Sequence, residues 1–170
     1  SDVLIGGMQD NGTWFTSNTN GTQPWVEAFG GDGSYCAVAD ASGVECTYMV
    51  SVQNGVVYRG GLDNLTGALT SWTRVDPLGG GGYLFINPLI VNPNDTRQLY
   101  VASDNGVWRN SDVTAIPLWS NDATSQNWVQ LTTVPGVPVT AMAMTRGVNP
   151  SLYYGSSSGD MYRLNNADTA

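Results

Sequence analysis

The chain has 170 residues, of which 41% are hydrophobic and 12% charged, and its formal charge is −8. That apolar content rules out a disordered tail, and the length suits one core rather than two. All six cations are Arg, and neither Lys nor His occurs. Without imidazole there is no Ser-His-Asp or Cys-His nucleophile and no His ligand for zinc. The acidic balance repels phosphate backbones and anionic surfaces, so no nucleic-acid partner is expected. No apolar run approaches the roughly 20 residues of a membrane-spanning helix, so no membrane insertion is expected.

Taken in chain order, residues 4–15 (LIGGMQDNGTWF) read as an apolar strand, a polar turn with Gly, and a short strand carrying Trp. A Trp-led strand follows at 25–28, then a small-apolar strand at 35–38. The sequence repeats this order: a hairpin at 48–59, a Trp-led strand at 72–75, and a small-apolar strand at 84–91. It does so again with a hairpin at 99–109, strands at 128–131 and 139–145, and a last hairpin at 152–163. Asn-Gly pairs at Asn11, Asn54 and Asn105 predict hairpins with type I′ turns, which need positive φ at both central residues; Ser158-Gly159 replaces the pair in the fourth copy.

The turn glycines Gly12, Gly55, Gly106 and Gly159 are spaced by 43, 51 and 53 residues. A period near 40 to 50 means one four-stranded unit per repeat. With the small-apolar strand as A, the hairpin as B and C, and the Trp-led strand as D, the chain reads BCD-ABCD-ABCD-ABC. The expected fold is therefore all-β: a β-propeller of about three and a half four-stranded blades, incomplete alone, in pieces of about 1–29, 30–76, 77–132 and 133–166. A β-solenoid or an open sandwich is the structural alternative. The missing A strand at the start and D strand at the end are expected to be supplied by further blades in cis or by another copy.

Gly6-Gly7-Met8-Gln9-Asp10-Asn11-Gly12-Thr13-Trp14, followed by Gly30-Gly31-Asp32-Gly33-Ser34-Tyr35, resembles the GGxQDNGTW and GGDG signatures of bacterial BNR-repeat and sortilin-type propellers. The run from Leu99 to Asp112, with Asn92-Pro93-Asn94 before it, resembles the same family's NPxxxxxLYVAxDxGVWRSxD stretch. The Asp-box of that family survives only as Ser17, Gly21 and Trp25, and as Ser111-Asp112. The resemblance implies fold more than activity, since related propellers include glycosidases, receptors and scaffolds.

In an antiparallel meander the B–C and D–A loops leave one face and the A–B and C–D loops the other. The first face gathers Asp10, Asn11, Asp32, Asn54, Asp76, the glycines at 79–82 and Asp104. Acidic, Gly-rich loops suit a sugar or a hard cation, so Asp10, Asp32 and Asp104 are candidate ligand-binding residues. The same three are the only candidates for a glycosidase carboxylate pair. Arg146, at the end of an inner strand, is the one Arg placed near a central channel. Arg59, Arg109 and Arg163 recur at one repeat position and are read as packing or pairing residues. No cofactor or metal is implied; calcium is the ion that the acidic face would suit.

Cys36 on strand A and Cys46 at the start of strand B are expected to form a disulfide across a short turn. Sequons begin at Asn11, Asn20, Asn64 and Asn94, which suits a secreted or cell-surface glycoprotein. The function expected is an extracellular, non-catalytic module for binding or scaffolding, with carbohydrate or protein as partner. The alternatives are part of a glycoside hydrolase acting on neutral polysaccharide, and a structural subunit that assembles by completing its open blades. The apolar residues Ile116, Pro117, Leu118 and Trp119, in the insertion 111–127, are a further candidate contact.

Overall fold

The computed structural model of the chain describes residues 3–18, 24–132 and 137–169. It is all-β, with four separate antiparallel sheets and none closed into a barrel. Sheet I contains β1 (Leu4–Gly7), β2 (Thr13–Thr16) and β3 (Val26–Phe29). Sheet II contains β4 (Cys36–Asp40), β5 (Glu45–Ser51), β6 (Val57–Asp63) and β7 (Leu69–Arg74). Sheet III contains β8 (Leu89–Val91), β9 (Leu99–Ser103), β10 (Gly106–Asn110) and β11 (Trp128–Thr132). Sheet IV contains β12 (Val139–Met144), β13 (Leu152–Ser156) and β14 (Met161–Leu164). Each sheet is a meander of consecutive strands.

The sheets stack face on face, and the strand period of two decides which side chain enters which core. On β5, Tyr48 and Val50 point into a first core with Phe15 and Ala28 of sheet I. Their neighbour Met49 points the other way, into a second core with Leu99, Val101 and Trp128 of sheet III. Alternation on β9 continues the series: Leu99 and Val101 face sheet II, whereas Tyr100 and Ala102 face a third core with Val139, Leu152 and Tyr154 of sheet IV. Strands β5 and β9 are thus buried on both faces, and this explains their nearly continuous runs of apolar and β-branched residues.

Polar bonds tie each sheet to the next. Tyr48 Oη donates to Ala28 O at 3.3 Å, Trp128 Nε1 to Val75 O at 2.8 Å, and Tyr100 Oη to Ala167 O at 3.0 Å. Two of the three repeated arginines act in the same way, while Arg163 Nε donates within its own region to Ser151 Oγ at 3.3 Å. Arg59 Nη2 donates to Ile116 O at 2.9 Å in the segment after β10, and Arg109 Nη1 donates to Ala167 O and Asp168 O after β14. Each of these two guanidinium groups therefore reaches past its own sheet to the backbone that follows the C strand of the next.

The hairpin expectation holds only in part. Asn54-Gly55 takes positive φ at both residues (59° and 73°). In the first hairpin the left-handed residues are Asp10 and Gly12, because residues 8–12 form a five-residue loop between Gly7 and Thr13. In the third, Ser103 pairs with Gly106, so Asp104 and Asn105 form the turn and the glycine opens β10 at φ 112°.

The disulfide is corrected: both cysteines are free thiols. Cys36 pairs with Val50, four residues along β5 from Cys46. At about 3.4 Å per residue this separates their backbone positions by roughly 14 Å, about twice the Cα reach of a disulfide. Burial pushes the Cys46 thiol up to about 11, with the nearby carboxylates of Asp40 and Glu45 adding to it, and raises Cys36 as well. Both are protonated at neutral pH.

The insertion 111–127 lies against the outer edge of sheet II. Trp119 N donates to Trp72 O and Arg74 N to Ser120 O, each at 2.8 Å, so the edge of β7 is covered by chain from the next sheet. Ile116 is buried in the second core, while Leu118 and Trp119 remain exposed. No helix among the described residues is long and apolar enough to cross a membrane.

Candidate functional site

The B–C loop of sheet I and the connection from β3 to β4 close on each other. Asp10 N donates to Asp32 Oδ1 at 2.8 Å, Gly12 N to Gly31 O at 2.9 Å, and Gly33 N to Met8 O at 3.0 Å. The approach requires glycine at 33, where a Cβ would stand 2.1 Å from Gly12 O. Asp10 holds a left-handed backbone (φ 63°), which Asp tolerates better than most residues.

These loops wall a hollow of about 490 Å³ lined by Asp10, Asn11, Trp14, Glu27, Asp32 and Gln53. Three carboxylates and two amides offer acceptors and donors, and the Trp14 indole forms an apolar side. Its Nε1 donates to Asn11 O at 2.5 Å, so the ring is fixed by the same loop that carries the polar groups. Gln53 Oε1 is buried without a hydrogen-bond partner, an acceptor left open beside the hollow. Among the described residues, no three His, Cys, Asp or Glu side chains group to hold a metal ion.

The sequence candidates are thus divided. Asp10 and Asp32 meet in one hollow. Asp104 lies elsewhere, on the turn between β9 and β10, where its backbone N donates to Gly81 O and its carbonyl accepts from Val137 N. Arg146 borders a different hollow of about 440 Å³ that runs along β4 and β8, lined by Cys36, Val38, Leu89 and Val91. Asp76 is buried and structural: its carboxylate takes two bonds from Arg74 and one from Val57 N.

Glu27 and Gln53 are lining residues that sequence reasoning passed over, and Trp14 is one that it reads as a packing residue between repeats. Trp14 shares a repeat position with Tyr58, Trp108 and Tyr162, and those three pack against the preceding sheet. Trp14 instead lies on the outward face of sheet I. The signal for Glu27 is register: it stands directly opposite Trp14 across β2 and β3.

Of the sequons, Asn11 Nδ2 donates once to Gln9 O and Asn64 Nδ2 once to Gly43 O, leaving one amide hydrogen for a glycan to replace. Asn94 Nδ2 makes two bonds, to Asn92 Oδ1 and Thr145 O, and a glycan would break one. The sequon at Asn20 and the Asp-box glycine Gly21 lie outside the described residues.

Compared with known proteins, the chain matches no family model, no curated protein and no solved structure.

Proposed function

We propose that the chain is a segment of an extracellular, non-catalytic β-propeller of the BNR/sortilin type, and that it binds carbohydrate in the hollow between Asp10, Asp32 and Trp14. The radial reading is supported by contacts among the A strands, β4 with β8 and β8 with β12, while β1 takes the inner place beside β4. Inner strands that touch along a line, with sheets fanning outward from it, are the arrangement of propeller blades.

The observation that carries the binding reading is the composition of the hollow: an indole wall with carboxylate and amide acceptors around it. Sugars present hydroxyls at the rim and C–H groups on the face, so they meet both kinds of group at once. The ring and Asp32 are already held by hydrogen bonds, which lowers the entropy lost on binding. The acidic lining favours neutral or cationic sugars over anionic ones. Asp32 Oδ1 is occupied by the Asp10 backbone, a loop-locking role that supports binding over catalysis.

Titration calorimetry against neutral oligosaccharides chosen from a glycan array tests the reading. Trp14→Ala and Asp32→Ala are expected to weaken binding at least about tenfold, equivalent to roughly 1.4 kcal/mol. Silence of the array, or binding by both variants at wild-type strength, would overturn it.

A further inference from the structure

One cross-strand pair recurs in all four sheets: Gly6 with Trp14, Val50 with Tyr58, Val101 with Trp108, and Tyr154 with Tyr162. In sheets II, III and IV the pair packs against the sheet before it. On the opposite face, the residue just before the aromatic points to the sheet after it: Val57 enters the second core and Val107 the third. The interfaces of sheet II with III and of sheet III with IV therefore each join a protruding valine on one sheet to a receiving pair on the next.

Sheets I and IV each keep one half of such an interface uncovered among the described residues. The receiving half is Gly6 with Trp14, where nothing lies within 4 Å of the position a Gly6 Cβ would take. Gly6, Met8, Trp14 and Trp25 line an apolar slot of about 320 Å³ there. The protruding half is Met161, 79% exposed, at the position of Val57 and Val107. It is flanked by small residues, in register with Gly155 and Ala141.

We infer that sheet IV of one copy of this chain docks on sheet I of a second copy, head to tail, with Met161 entering the slot between Trp14 and Trp25. Size complementarity selects this occupant. The protruding residue is largest where the receiving residue is smallest, Met161 against Gly6, compared with Val57 against Val101. A thioether between two indoles also makes favourable sulfur–aromatic contacts. Charge agrees: the row Gly6, Trp14, Glu27 carries one carboxylate, and the row Ala143, Tyr153, Arg163 carries one guanidinium. Arg163 is the third of the repeated arginines; its Nε donates to Ser151 Oγ and its guanidinium lies over the Tyr153 ring, whereas Arg59 and Arg109 bond to the following sheet. The contact is heterologous, so it closes into a ring or extends as a filament. Trp14 and Glu27 also line the acidic hollow, so a docked copy and a sugar would share those two side chains.

Sedimentation equilibrium of the 170-residue chain tests this. The wild-type mass is expected to rise above 18.1 kDa with concentration. Gly6→Glu and Met161→Glu each spoil one half, so each variant alone stays monomeric. An equimolar mixture of the two retains one intact pair of faces and forms capped dimers, with nothing larger. The pair Leu4→Glu and Ala141→Glu repeats the test on neighbouring positions, with circular dichroism confirming the fold of every variant. Mass is read without sugar present, and Met161 lies outside the acidic hollow, so failure of this inference and failure of the sugar reading are told apart. A wild-type chain that remains monomeric to millimolar concentration, a single variant that still associates, or a mixture that stays monomeric overturns it.

Discussion

Replacing Gly60 by alanine places a methyl group where the ring of Tyr48 already lies. The two residues face each other across β5 and β6, and a Cβ on Gly60 would stand 2.3 Å from both Cζ and Oη of the tyrosine. Carbon atoms in contact need about 3.5 to 4 Å, so the ring must retreat by more than about 1 Å. Tyr48 has no room to do so: it is fully buried in the first core, and its hydroxyl holds Ala28 O. Overpacking of this kind costs about 1–3 kcal/mol, and the strained or broken hydrogen bond adds about 1 kcal/mol. Gly60→Ala is therefore expected to lower stability by about 2–4 kcal/mol. Urea unfolding followed by tryptophan fluorescence would report a lower midpoint at unchanged slope. Tyr48→Phe isolates the hydroxyl, at about 1 kcal/mol. In a Tyr48→Ala background the methyl has space, and its extra cost should fall below about 0.5 kcal/mol, the usual limit of additivity. The reasoning fails if Gly60→Ala unfolds at the wild-type midpoint, or if its cost is the same with and without the tyrosine ring.

Two further outcomes follow from buried groups. Burial, with Asp40 and Glu45 nearby, raises the Cys46 thiol from 9.0 to about 11, and burial raises Tyr48 and Tyr100 from 10.0 to about 12. The unfolded chain loses these protons first, so their contribution is intact below pH 9 and is lost as pH rises toward 12. The urea midpoint should fall across that window, and a level profile would refute the assignment. Asp76→Ala removes three hydrogen bonds to a carboxylate, two of them from the Arg74 guanidinium, and is expected to cost about 2–3 kcal/mol by the same assay. An unchanged midpoint would show that Arg74 and Val57 N find equal partners elsewhere.

The strands were legible because they obey local rules. Alternation and turn residues mark each hairpin, and the doubly buried runs of β5 and β9 are apolar on both parities. What failed depended on register. Residues 36 and 46 lie near one turn in the sequence, yet a bulge between Val38 and Asp40 and the pairing of Cys36 with Val50 place the thiols at different heights. The Asn-Gly signal held at Asn54-Gly55 and not in the other two hairpins: the first loop has the same five-residue length but turns left-handed at Asp10 and Gly12, and in the third Gly106 already belongs to the strand. At the candidate site, Asp10 and Asp32 could be sorted to one face from strand direction alone. Asp104 sorted to the same face but not into the same hollow, because face is a property of topology and distance is not. Trp14 shows the limit of repeat reasoning: its equivalents are packing residues, and it differs only in what lies opposite.

The recurrence of the protruding and receiving side chains has a consequence for how such a chain can change. Each internal sheet presents the same two faces in the same order, so a repeat of 43 to 53 residues is an exchangeable part. A duplicated copy of sheet II or III would find a socket before it and a plug after it, and its first strand would join the inner line formed by β4, β8 and β12. Cooperativity then passes from neighbour to neighbour, and the array can lengthen or shorten by whole units while each remaining joint keeps its fit.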